Sequence, residues 1–342
     1  MSFLSRHLGY ENPRIKVLAE TTILAATPTG GEVPVFGFHK LGMEPRFALE
    51  PKRFRTLIRL IQSKGWYLMS DTDFAQGDFT SVPSGKKPLV MGSDDASSGT
   101  AIYLTRGPSR TGRVRRIFGT PRWDPNCMVA ILERFAPREN NRINFTFYIS
   151  FDAIPFRQLD GAKNPGFPYP NIPLVREKIT YLDAHFRLGI HSLSHQKAAD
   201  MGQEAFSQDV LAAWNLMNHY AGGRAETVQT MAYPYGIVDG VPDGEELASW
   251  FKDLERPLAG GFDFDDQWAS PNHQPRGPYA ISRLGVDNSN WERARKILEG
   301  KVPTAVAQRT ILWTTTRKRL PPSRKSLGIH RNDDLWVLVK ED

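Results

Sequence analysis

The sequence predicts an α/β barrel built on parallel strands, and three observations carry that expectation. Short apolar runs with strand character alternate with amphipathic helical segments, the signature of β-α units and a parallel sheet. The chain repeats such units often enough to favour one barrel over separate domains, and its 342 residues, 40% of them hydrophobic, can bury a sizeable core. The polar residues best suited to chemistry fall at the ends of the predicted strands, where parallel barrels gather their active-site loops.

In order, VPVFGF at 33–38 follows a Thr-Pro-Thr-Gly-Gly turn and reads as the first strand. PKRFRTLIRLIQSKG at 51–65 places Phe54, Leu57, Ile58, Leu60 and Ile61 on one helical face and stops at Gly65. KPLVMGSDD at 87–95 is a buried strand ending in two acids, MVAILERF at 128–135 a helix, and RINFTFYISF at 142–151 a strand. IPLVREKITYLDAHF at 172–186 is helical, FRLGI at 186–190 a strand, and EAFSQDVLAAWNLMNHY at 204–220 a strongly amphipathic helix. ETVQTMAYPYG at 226–236 is a strand that runs into a Pro-Gly turn, and there is no internal repeat.

Composition narrows the function classes. The longest apolar runs, TILAA and LWVLV, are far shorter than the ~20 residues of a membrane-spanning helix. No basic start leading into a long apolar stretch opens the chain, so no secretory signal is expected in it. The net charge of +7 is densest at RGPSRTGRVRR (106–116) and RKRLPPSRK (317–325), without interleaved aromatics or a nucleic-acid motif. No nucleic-acid partner is expected, and attraction to an anionic surface or polymer explains the charge at least as well. A single cysteine, Cys127, excludes an internal disulfide and a thiolate cluster, so any metal here needs histidine and carboxylate ligands.

The candidate chemistry starts with GIHSLSHQ, where His191 and His195 stand four apart. Eight histidines in a chain of this length make such a pair common by chance, so it carries little alone. Asp94 and Asp95 end one predicted strand, Tyr233 to Gly236 end another, His39 lies just past the first, and Arg283 follows the apolar run 280–282. Singly, the two acids read as caps, the histidines as one core and one surface residue, the Tyr-Pro-Tyr-Gly as a plain turn, and Arg283 as a surface ion-pair partner. Adjacent acids can both reach one site only where a strand ends and the chain turns, because side chains alternate along a strand.

The ordered set VPVFGFHKLG, SDDAS, HSLSH and AYPYG resembles the polysaccharide deacetylases, carbohydrate esterases of the NodB-homology type, over roughly 33–300. The resemblance implies a distorted (β/α) barrel with fewer than eight regular units. It also implies a hydrolase that removes acetyl groups from an N-acetylated glycan with one divalent metal, zinc first, with cobalt, nickel or others compatible. Carried onto this chain, it makes Asp95, His191 and His195 the metal ligands, Asp94 the general base, and Arg283 the residue that orients Asp94. Tyr235 would give a backbone N–H to the oxyanion. Ala96 stands where the family has glycine, and the family's C-terminal Leu-His-Asp has no clean copy: His330 in LGIHRNDD is the nearest candidate for the general acid, with His273 as the alternative. His39 and Trp268 are candidates for contacting substrate.

The organisation that follows is an N-terminal extension over 1–32, a catalytic domain over 33–300 with a hairpin insertion at 97–126, and a C-terminal segment over 301–342 that packs on or closes the barrel. The family suggests an extracytoplasmic or cell-envelope setting and leaves the oligomeric state open, a dimer included. Two other readings keep the same fold: a catalytically silent glycan-binding or envelope protein, and a metal-dependent hydrolase of a small non-sugar amide.

Overall fold

The computed structural model describes residues 27–341 except 30, 84, 97–99, 101–115, 118–119, 140, 152–171, 224–227, 238–242, 253, 255–257, 270–275, 309, 316–327 and 333–334. Eight strands form its central sheet: β1 (Val35–Phe38), β2 (Trp66–Leu68), β3 (Lys87–Ser93), β4 (Thr146–Ile149), β5 (Arg187–Ile190), β6 (Thr230–Ala232), β7 (Gly260–Phe262) and β8 (Leu284–Gly285). Their order is β7-β6-β5-β4-β3-β1-β8, with β2 alongside the first half of β3, and the pairings are parallel. The sheet curls until its ends meet. Phe262 in β7 bridges Ile281 just before β8, and the Asp263 N–H donates to the Ile281 carbonyl at 2.7 Å. This is the α/β barrel that the alternation of elements predicts, with the distortion that the family resemblance implies.

The strands are buried on both faces, which is why they read as unbroken apolar runs rather than alternating ones. The helix Pro51–Ser63 starts with proline in its first turn, where no N–H partner is lost, and buries Phe54, Leu57, Ile58 and Ile61 against the sheet while Leu60 is half-buried. Gly65, at φ 76°, turns the chain back toward β2. The helices Met128–Phe135, Ile172–His185 and Gln203–Tyr220 lie where their periodicity places them. Among the described residues no helix is long and apolar enough to cross a membrane.

Three differences from the sequence expectation have local causes. The run 142–151 pairs as a strand only over Thr146–Ile149, because Glu139 and Arg142 first fold onto each other through paired backbone hydrogen bonds. β2, β7 and β8 are two or three residues long, too short for any periodicity to announce them. Within 97–126, Arg116–Ile117 and Thr120–Pro121 pair antiparallel, while 101–115 lie outside the described residues.

In the C-terminal segment, Val306–Gln308 pairs with Thr27–Thr29. Thr310–Thr315, Leu335–Glu341 and Gly328–Asn332 form a separate antiparallel sheet in that order. Among the described residues these strands pair with one another and not with the parallel sheet. Of the N-terminal extension 1–32, residues 1–26 lie outside the described set.

One packing device fixes the barrel interior beneath its C-terminal mouth. The Tyr148 ring on β4 fills the space that Cβ atoms at Gly92 on β3 and Gly189 on β5 would occupy; at Gly92 that atom would lie 2.6 Å from the ring. The Tyr148 hydroxyl donates to Asp71 at 3.0 Å, and Thr230 donates to the same carboxylate. Two glycines facing one tyrosine thus replace three ordinary core side chains, and burial with the adjacent Asp71 raises the phenol pKa well above its usual value.

Candidate metal centre

The site is built where β3 ends. The Asp94 N–H makes a ladder bond to Phe38 O at 2.8 Å, and the Ser93 hydroxyl donates to His39 O at 2.9 Å, which ties this loop to the one after β1. The backbone then enters the left-handed region at Asp95 (φ 71°) and Ala96 (φ 52°). That turn lets two neighbouring carboxylates reach the same mouth. Glycine adopts the conformation freely, whereas an alanine there bears a strain of about 1 kcal/mol; the buried methyl of Ala96 packs into the core instead.

Asp94 and Arg283 form a closed pair. Arg283 Nη1 and Nη2 donate to the two carboxylate oxygens of Asp94 at 2.8 Å each, and the side chains are 2% and 1% exposed. The rest of the guanidinium is equally constrained. Nε donates to the Asp263 carbonyl at 2.8 Å, and the ring centroids of Phe264 and Tyr148 lie 5.4 Å and 5.5 Å from Cζ. Burial alone would push the Asp94 pKa up, but the Arg283 charge outweighs it and holds the carboxyl below its ordinary range. Asp94 is therefore held ionised and fixed in position.

Asp95, His191 and His195 converge beside this pair. Asp95 Oδ1 lies 3.2 Å from His191 Nε2 and 3.1 Å from His195 Nε2, and one ligand atom from each residue falls within 4.8 Å of the others. His191 follows β5 directly, and its Nδ1 sits 2.8 Å from the Ala232 carbonyl at the end of β6. A carbonyl only accepts, so Nδ1 carries a proton, and Nε2, on the side of Asp95 and His195, is the ring nitrogen that an ion would take in place of its own proton. The loop to His195 is held by Asp209, whose carboxylate accepts from Leu193 N at 2.8 Å and Ser194 N at 2.9 Å. Ser192 (φ 61°) and His195 (φ 53°) bend the chain so that the second ring returns to the first. Burial opposes ionisation of Asp95, but the hydrogen bonds it accepts from the two imidazoles hold its pKa far below normal. One carboxylate and two imidazoles on a partly open rim fit a divalent cation with room for further ligands.

The other residues singled out by sequence divide into two groups. Tyr235 (φ 61°) lies in the turn closed by Gly236 N on Tyr233 O at 3.1 Å, and its ring stands 4.9 Å from that of His195. His39 packs between the Phe47 and Phe264 rings at 5.2 Å and 5.0 Å, within electrostatic reach of Asp94 and Asp95, and burial lowers its pKa. Both belong to the mouth. Trp268 is half-buried against the main core. His330 lies in the separate antiparallel sheet, opposite Val337, and His273 is outside the described residues.

Several contributors had no usable sequence signal. Asp263, 1% exposed, accepts from Ile237 N and Phe264 N at 2.6 Å each and pairs with Arg276, so it joins the turn after β6 to the segment that carries Arg283. Its place at the end of a strand was the clue, hidden because Gly-Gly-Phe does not read as a strand. The Ala232 contribution is purely backbone, and the Asp209 contribution comes from a helix face that periodicity assigns to the core.

The curled parallel sheet and its helices superpose on BA0330 from Bacillus anthracis, described as a polysaccharide deacetylase, with a TM-score of 0.51 at 14% identity, covering 78% of this chain and 69% of that one. They superpose on BC0361, a polysaccharide deacetylase from Bacillus cereus, with a TM-score of 0.50 at 12% identity and the same two coverages, 78% and 69%. The fold is that of the polysaccharide deacetylases. No family model and no curated protein matches the sequence itself. The polysaccharide deacetylase fold explains why Asp95, His191 and Tyr235 share one mouth, since each follows the C-terminal end of a parallel strand.

Proposed function

We propose that this chain is a metal-dependent deacetylase that hydrolyses the N-acetyl group of an N-acetylated glycan. The observation that carries the reading is the juxtaposition of two differently wired carboxylates: Asp95 against two imidazoles, and Asp94 locked on a buried arginine. Their environments assign them different tasks. A divalent ion held by Asp95, His191 and His195, zinc first among the candidates, supplies Lewis acidity toward the amide carbonyl and lowers the pKa of water.

The protein does the rest. Asp94, kept ionised and aimed by Arg283, accepts the proton of the attacking water. Oxyanion charge falls to the Tyr235 backbone N–H, held in place by the tight turn from Tyr233 to Gly236. Among the described side chains, His39 is the imidazole closest in setting to Asp94 besides the two proposed ligands, and we assign it to contact with substrate. His330 is retained as the proposed proton donor to the leaving amine.

The test is metal content by elemental analysis, wild type beside a His191→Ala/His195→Ala variant, together with acetate release from N-acetylated oligosaccharides by the zinc-loaded protein. About one ion per chain in the wild type, lost in the variant with activity, is the expected result. A wild type that takes up no divalent ion would sink the reading.

A further inference from the structure

Among the described residues the exposed large hydrophobic side chains are Met43, Phe47 and Tyr235, at 75%, 58% and 64% exposure. All three stand at the mouth of the barrel, two on the loop after β1 and one on the turn after β6. In the strand order, β3, β4 and β5 separate β1 from β6 on one side and β7 and β8 on the other, which sets the two loops across the mouth from each other. The group Asp95, His191 and His195 lies between them. Each aromatic ring also packs edge-on against a histidine of the mouth: Phe47 on His39 at 5.2 Å and 65°, Tyr235 on His195 at 4.9 Å and 69°.

Phe47 is not exposed for want of anchoring. Its φ of 57° is an outlier for a bulky aromatic. Its N–H donates to Asp287 Oδ2 at 3.1 Å, and its carbonyl accepts from Lys40 N at 3.3 Å. Asn288 straps the same loop, donating through Nδ2 to Gly42 O at 3.1 Å and Glu44 O at 2.8 Å, and accepting through Oδ1 from Glu50 N at 2.8 Å. A strained residue held this firmly, with its ring turned to water, is a preorganised face beside the reacting centre. A pyranose ring has the matching chemistry, since its C–H face is flat and apolar while its hydroxyls project at the edge.

We propose that Phe47 is the stacking platform for a sugar ring next to the one that carries the reacting acetyl group, with Tyr235 facing the ring on the other side. The substrate is then a glycan chain crossing the mouth rather than a free sugar. This rests on the deacetylase reading and adds its chain-length preference.

The experiment compares kcat/KM for acetate release from N-acetylglucosamine and from its β-linked pentamer, using zinc-loaded wild type, Phe47→Ala and Phe47→Trp, with pentamer binding measured in parallel by calorimetry. Phe47→Ala is expected to reduce the preference for pentamer over monosaccharide about three- to tenfold, through KM, while Phe47→Trp retains it. Equal losses on both sugars, or no loss on the pentamer, would overturn the proposal. If the wild type releases acetate from neither sugar, the deacetylase reading fails separately and calorimetry decides: weaker pentamer binding by Phe47→Ala upholds the platform, and equal binding or none by the wild type overturns it.

Discussion

Arg283 and Asp94 meet through two parallel hydrogen bonds of 2.8 Å at a depth where neither side chain is more than 2% exposed. Taking one partner away strands the other as a buried charge. Arg283→Met is therefore expected to destabilise the protein by about 3–5 kcal/mol, with part of the loss recovered when Asp94→Asn is added. Urea denaturation of the two single variants and the double one measures this; equal losses in Arg283→Met and the double variant would show that the carboxylate is not the cause. Arg283→Lys keeps the charge but not the fork, and is expected to remain folded with much reduced turnover.

Asp209 never reaches the proposed ion, yet it fixes the loop between the two histidines through Leu193 N and Ser194 N. Asp209→Ala is expected to weaken zinc binding about 10- to 100-fold, as loss of supporting hydrogen bonds around metal ligands does elsewhere. Competition with a chromogenic chelator reads the affinity, and circular dichroism checks the fold. Unchanged zinc affinity would remove Asp209 from the account of the site.

Gly189 exists to admit Tyr148. Gly189→Ala puts a methyl group into the Tyr148 ring, and the expected loss is about 1–3 kcal/mol, read by thermal or chemical unfolding. In a Tyr148→Leu background the same substitution costs less, because the clash has gone. Additive losses would mean that the strand, and not the ring, resents the methyl.

Asp287 links stability to pH. Burial pushes its pKa up, but hydrogen bonds from Ser289, Phe47 and Asn290 outweigh this and leave the folded value below the ordinary 3.8. The unfolded chain then binds the proton more readily than the folded one, so this contribution is fully present above about pH 4 and lost as pH falls through the folded value. The stability gap between wild type and Asp287→Asn should accordingly shrink on going from neutral pH into that acid range. A gap that is constant with pH would show that the carboxylate charge is immaterial.

What the sequence makes legible here is whatever repeats or clusters. The helix Pro51–Ser63 has an unbroken apolar stripe and a glycine stop, and β3 is a long apolar run ended by acids. Both are readable from one chain. β7 and β8 are not, because Gly-Gly-Phe and Leu-Gly owe their strand geometry to neighbours already in place. The same contrast holds in the site: Asp95, His191 and His195 stand out by residue type, whereas Asp263, Asp209 and Phe47 gain meaning only from partners far away in sequence. Asp287 and Phe47 are 240 positions apart, and no local pattern joins them.

The bond from His191 to the carbonyl of Ala232 has a wider consequence. The group that decides which imidazole nitrogen is free is a peptide oxygen, present whatever side chain position 232 carries. Packing in the core limits the size of the side chain at position 232, but any residue that fits there would make the same contact, and an inventory of functional side chains would pass over one of the contacts on which ligand chemistry depends. The instruction is written in the path of the main chain, and only a change in the spacing of β5 and β6 can revoke it.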